Sequence, residues 1–176
     1  MRITISGEIG SGKTTIAKML AARLGYKYYC VGDFMRSMAK EKGMTLLELS
    51  ALAEKDRTVD MELDERQKGL NKEDNFVLDS RLGFHFVKNA FRIFIAVDVK
   101  EGARRVYNDL RHAERENTTP ETTLENIKRR RESERKRYRK YYNIDLFNKD
   151  NYDLVIDTTE ITPEAAVEKI LITLPG

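Results

Sequence analysis

The sequence predicts an α/β fold, a parallel sheet with helices on both faces. Short segments rich in β-branched and aromatic residues alternate with helical patterns, the order that builds βαβ crossovers. Three of those segments are apolar almost throughout, as strands covered on both faces are. No repeat at solenoid period and no Pro/Gly/Ser-rich linker interrupts the 176 residues, so a single domain with inserted parts is expected.

The first strand, Arg2–Ser6, runs into Gly7-Glu8-Ile9-Gly10-Ser11-Gly12-Lys13-Thr14 and then directly into a helix. The pattern G-x-x-x-x-G-K-[ST] between a strand and a helix is a phosphate-binding loop, or P-loop. Its glycines let the backbone curl with N–H groups aimed inward, and the helix adds its positive dipole end. Lys13 is expected on the β- and γ-phosphates and the Thr14 hydroxyl on Mg²⁺. The helix Lys13–Leu24 places Ile16, Met19, Leu20 and Leu24 on one face and stops at Gly25, a C′ glycine.

Tyr26–Val31 is a shorter strand, and Thr45-Leu46-Leu47-Glu48 is a capping box opening a helix. Asn71-Lys72-Glu73-Asp74 matches the guanine-reading N-K-x-D but precedes the strand Asn75–Asp79, whereas a base reader follows a strand. No D-x-x-G occurs either, so this is a polar loop and not part of a GTP switch. Phe91–Asp98 is the next strand, and Thr122-Thr123-Leu124-Glu125 is a second capping box. It leads into Lys128–Lys140, where nine of thirteen residues are Lys or Arg. Tyr152–Asp157 is the last strand, and Thr162-Pro163 an N-cap and N1 pair opening a helix with Ala166, Ile170 and Leu174 toward the sheet. Asp79, Asp98 and Asp157 each end a strand, at the rim where such sheets bind ligands, which points to a charged ligand or a metal. The polar segment Arg111–Pro120 matches no pattern, and the lone His85 and His112 carry no role.

The charge balance is +3, from 32 basic and 29 acidic residues, so positive charge is local and suits a small anionic ligand. One cysteine, Cys30, excludes an internal disulfide and reads as a small core residue in a reducing compartment. No apolar run approaches the ~20 residues of a membrane span, and MRITISG lacks the length of a secretory segment, so a cytoplasmic protein is expected.

Phosphoryl transfer between two nucleotides needs no general base, because the acceptor phosphate is already anionic near pH 7. It needs cations that let two anions approach in line, with water excluded. Arginine suits this, binding phosphate bidentately and keeping its charge. Arg36 after Gly32-Asp33, Arg81 just past Asp79, and Arg130 and Arg137 in the basic run give that layout.

At these residues the chain resembles the nucleoside monophosphate kinases, and among them the archaeal-type cytidylate kinases. The resemblance runs through GSGKTTIAKMLAARLG, VGDFMRSMAKEKGMTLLELSALAEKD, DMELDERQ, VLDSRLGFHFVKNA, ESERKRYRKYYNIDL and YDLVIDTTEITPEAAVEKI, in that order. It implies a three-layer P-loop NTPase fold with a five-stranded parallel sheet. It divides the chain into a core at about 1–32, 75–104 and 143–176, a monophosphate-binding insert at about 33–70 and a lid at about 105–142. It implies ATP with Mg²⁺ as donor, held by Gly7, Glu8, Ile9, Gly10, Ser11, Gly12, Lys13, Thr14 and Thr15. It places Asp33, Arg36, Asp79 and Arg81 at the acceptor site, Arg105 near the lid hinge, and Arg130 and Arg137 over the transferring group. Asp79 gains an outer-sphere role on Mg²⁺. Ser80 stands where those kinases commonly carry glycine, and Val31 where a small or polar residue is common. CMP or dCMP is the favoured acceptor, ahead of AMP or UMP, with small nucleotides as partners, no nucleic acid, no membrane and a monomer.

Two other readings compete. One is a P-loop kinase of a non-phosphorylated metabolite; the other is a nucleic-acid-binding module using Lys128–Lys140. Helical spacing divides the basic run: Arg130, Glu134 and Arg137 share a face, with Glu134 expected to pair both arginines, while Glu132 and Lys136 form a solvated i,i+4 pair.

Overall fold

The computed structural model describes residues 1–109, 117 and 119–175. Five strands, β1 (Arg2–Gly7), β2 (Lys27–Cys30), β3 (Phe76–Asp79), β4 (Ala90–Ala96) and β5 (Leu154–Asp157), form one sheet. All pairs are parallel, in the order β2-β3-β1-β4-β5. The eight α-helices among the described residues are α1 (Lys13–Leu24), α2 (Val31–Glu41), α3 (Leu46–Lys55), α4 (Thr58–Gly69), α5 (Gly83–Phe86), α6 (Val99–Asn108), α7 (Pro120–Tyr142) and α8 (Pro163–Thr173).

One sheet face packs on α1 and α8, burying Ile3, Ile5, Ile16, Leu20, Ile95, Val167 and Ile170. Ile16 and Leu20 are buried as their spacing requires, with Met19 and Leu24 half-buried beside them. Gly25 ends α1 at φ 66°, and its N–H closes on the carbonyls of Ala21 and Ala22. The other face carries two clusters, one around Phe76, Leu78 and Val87, the other around Leu82, Phe86, Tyr138 and Leu146. Helices α2 and α3 form a small core of their own around Met38, Leu49 and Ala53.

Thr45 and Glu48 close the expected capping box on α3, and Thr162-Pro163 opens α8. Other boundaries differ. The second capping box is Thr119 with Thr122, not Thr122 with Glu125, because Pro120 at N1 starts α7 earlier. Asp98 does not end a strand: β4 stops at Ala96, and Asp98 caps α6, accepting from the N–H groups of Lys100 and Glu101. Asp157 binds the Thr159 N–H and hydroxyl. Of the three acids at the rim, the structure thus makes two into local caps.

Cys30 is half-buried and not a core residue; its sulfur caps α2 by accepting the Asp33 N–H at 3.4 Å. Val31 packs beside Phe76 and Leu78 and also borders the cleft described below. The Asn71–Asp74 loop lies at the amino-terminal rim, where Arg2 binds the Glu73 carbonyl and the Asp74 carboxylate. His112 and most of 111–120 lie outside the described residues.

Candidate active site

The carboxyl ends of β1 and β3 open into a cleft of about 680 Å³, the place where parallel sheets bind ligands. Glu8 to Thr15 form its floor. Gly10 adopts φ +79°, and an added Cβ would run into the backbone carbonyl of Gly102 on α6. The loop therefore lies backbone against backbone on α6, and only glycine fits there. Thr158, after β5, brings its hydroxyl to 2.9 Å from the Ser11 carbonyl.

Asp79 is fully buried at the end of β3. Its Oδ2 accepts the Thr14 hydroxyl at 2.6 Å and the Tyr28 hydroxyl at 3.3 Å, and its Oδ1 meets Lys13 Nζ in an ion pair. Burial, then the nearby Arg81 guanidinium, pull the Lys13 ammonium down to about 7, while Cys30 and the Glu134 carboxylate work the other way.

Arg81 bridges two parts of the site. It donates to the Gly7 carbonyl and, through Nε, to Glu134 Oε1 at 3.2 Å. Among the described residues Glu134 makes its ion pair with the rim arginine, where helical spacing suggested Arg130 and Arg137, and its charge still acts on Arg137. Ser80 does not crowd the rim, because its hydroxyl turns to α4 and donates to Gln67. Arg131, which the sequence left unassigned, reaches Glu8 Oε1 at 3.0 Å and covers the Phe147 ring.

The far wall comes from the helices between β2 and β3. Arg36 borders the cleft and is held by Asp33 at 2.5 Å, whereas Asp33 itself stays outside. Arg137 is buried against this wall: Nη1 donates to the Ser50 carbonyl at 3.3 Å, and Nε stands 3.2 Å from Asp60 Oδ2. Asp60, pushed up to about 6 by burial, shares one face of α4 with Asp64 and Gln67, all three buried and bordering the cleft. Sequence reasoning missed these three. The signal was DMELDERQ, whose acids at i and i+4 and Gln at i+7 read as a solvated face until packing is known.

The structure thus brings Lys13, Arg36, Arg81, Arg130 and Arg137 to one cleft, together with Thr14 and Asp79. Arg105 lies behind it, donating to the carbonyls of Thr158 and Thr159. The outer side of α7 behaves as expected, with Lys136 and Glu132 exposed at 3.8 Å. The ordinary worth of such a pair is a few tenths of a kcal/mol.

Residues 2–160 match the model of the cytidylate kinase-like family. The chain is 38% identical to the cytidylate kinase of Methanobrevibacter smithii over 175 residues, 99% of this chain and 98% of that one. It is 40% identical to the cytidylate kinase of Archaeoglobus fulgidus over 173 residues, 97% of this chain and 93% of that one. Among solved structures it is similar to a shikimate kinase from Bacteroides thetaiotaomicron, with a TM-score of 0.67 and 99% of each chain covered. At 15% identity that likeness shows the fold, a P-loop kinase fold with a five-stranded parallel sheet. On a family match spanning nearly the whole chain and relatives alike over their full length, the protein belongs to the cytidylate kinase-like family.

Proposed function

We propose that the protein transfers the γ-phosphoryl group of ATP to CMP or dCMP, giving ADP and CDP or dCDP. The observation that carries this reading is the convergence of phosphate loop, rim arginine, lid helix and insert helices on one cleft. A kinase of a non-phosphorylated metabolite has less use for Arg36 and Arg81 beside the acceptor. The relatives named above bear the corresponding activity in their names.

In this reading an acceptor phosphate oxygen attacks the γ-phosphorus in line, and the bond to the β–γ bridging oxygen breaks. No side chain removes a proton. Backbone N–H groups of Gly7 to Thr15 hold the donor phosphates, and Lys13 exchanges Asp79 for the β- and γ-phosphates. Arg36 and Arg81 take the acceptor phosphate, with Asp33 and Glu134 orienting them. Arg130 and Arg137 stabilise the charge on the transferring group. The adjoining Thr14 hydroxyl and Asp79 carboxylate are hard oxygen donors, and they fit Mg²⁺, which takes few protein ligands and completes its shell with phosphates and water. Mg²⁺ held there would offset the negative charge of the donor phosphates. Residues 33–70 act as the monophosphate-binding insert and 105–142 as the lid. The protein works as a cytoplasmic monomer on free nucleotides, not on nucleic acid; no helix among the described residues is long and apolar enough to cross a membrane.

A coupled assay of ADP formation with CMP, dCMP, UMP, AMP, GMP and shikimate tests the reading. Turnover is expected to be fastest with CMP or dCMP. Turnover with shikimate alone, or with no nucleotide, would overturn it.

A further inference from the structure

The acceptor base has no assigned reader in the site so far, and the α4 wall holds a buried carboxylate engaged by a single donor. Asp64 is 5% exposed and borders the cleft. Its Oδ2 accepts the Tyr142 hydroxyl at 2.6 Å, and it makes no other direct hydrogen bond or ion pair among the described residues. Burial raises its carboxyl above the usual range, the mark of a charge short of donors. Its neighbours are committed. Asp60 stands against the Arg137 guanidinium, and Gln67 accepts from Ser80 while donating to the Leu63 carbonyl. Leu46, Leu63 and Met35 also line the cleft and give it apolar wall on which a base ring can rest.

We infer that Asp64 is the residue that selects cytosine over uracil, its free carboxylate oxygen accepting from the exocyclic amino group of the base. The two bases differ at that position: cytosine offers N–H donors, uracil a carbonyl oxygen whose lone pairs would face the carboxylate. A buried acceptor left facing an acceptor forfeits its hydrogen bond and keeps its desolvation cost, which is why polar pockets discriminate strongly. Tyr142 sets the geometry by fixing the other oxygen. The inference rests on the reading of the site as a cytidylate kinase site and names what makes it selective.

The test is kcat/KM for CMP, dCMP and UMP in the wild type, Asp64→Asn and Tyr142→Phe, at pH 7.5. In Asp64→Asn the amide oxygen takes over the Tyr142 hydroxyl and the NH₂ turns to the base, where it suits uracil. The CMP:UMP ratio is expected to fall by about 10- to 100-fold, the worth of one hydrogen bond to a charged group. The ratio is expected to fall in Tyr142→Phe as well, by less than in Asp64→Asn, and Kd for ATP to stay unchanged in both. An equal loss with CMP and UMP, or a change in CMP:dCMP alone, would overturn the assignment, the latter pointing to the ribose. A wild type inert toward CMP would defeat the functional reading itself, so the two failures are distinct.

Discussion

Lys13 holds its proton loosely because it is buried beside a guanidinium with no phosphate yet to bind. Only the ammonium form binds phosphate well, and bound polyphosphate raises its affinity for the proton. Binding of ATP should therefore take up a proton above pH 7, and affinity should weaken as pH rises through about 7. Calorimetry in buffers of different ionisation enthalpy should show more proton uptake at pH 8 than at pH 6. Equal uptake at both would show that Asp79 keeps Lys13 charged throughout. At this scale the sequence was a good guide wherever chemistry follows from a motif. Lys13, Thr14, Asp79 and Arg81 stand together because a P-loop and a strand end put them there, and Arg130 joins them from α7. Asp60 and Asp64 were not legible as site residues, and Glu134, read from helical spacing onto the inner face, was not legible as the partner of Arg81. Their burial depends on α7 lying on the rim and on α3 and α4, packing that no local pattern records.

Among elements, the phosphate loop is locked most tightly. Gly10 and Gly102 place the loop and α6 in backbone contact, Gly102 lying so close that a Cβ would meet the Ile9 carbonyl at 2.6 Å. Gly10→Ala combines a clash with a left-handed φ and should lose about 1–3 kcal/mol of stability along with ATP binding. Urea unfolding and ATP titration would check this; unchanged values in both would contradict the packing account. The strand and helix sequence of the chain was readable because apolar runs and cap residues are local signals. Errors fell at ends, where one residue outweighs the pattern. Pro120 moved the start of α7 to Thr119, and Asp98 left its strand because its carboxylate binds two helix N–H groups. That Arg131 would tie α7 to Glu8 of the loop had no sequence signal, since the two residues lie far apart in the chain.

For the molecule as a whole, three segments distant in sequence close one cleft. Arg81 joins the loop to α7, Arg131 joins α7 to Glu8, and Arg137 joins α7 to α3 and α4. The basic run of α7 therefore divides into an inner face with buried Glu134 and Arg137 and an outer face with exposed Arg129 and Lys140. We propose that the inner face is a phosphate clamp. Its most direct test is kcat with CMP in Arg130→Ala and Arg137→Ala beside Arg129→Ala and Lys140→Ala. The first two are expected to fall by roughly 10³-fold, as loss of an arginine on a transferring phosphoryl group does, and the last two to change less than a few-fold. Equal, small effects at all four positions would contradict the clamp and leave α7 a solvated basic helix.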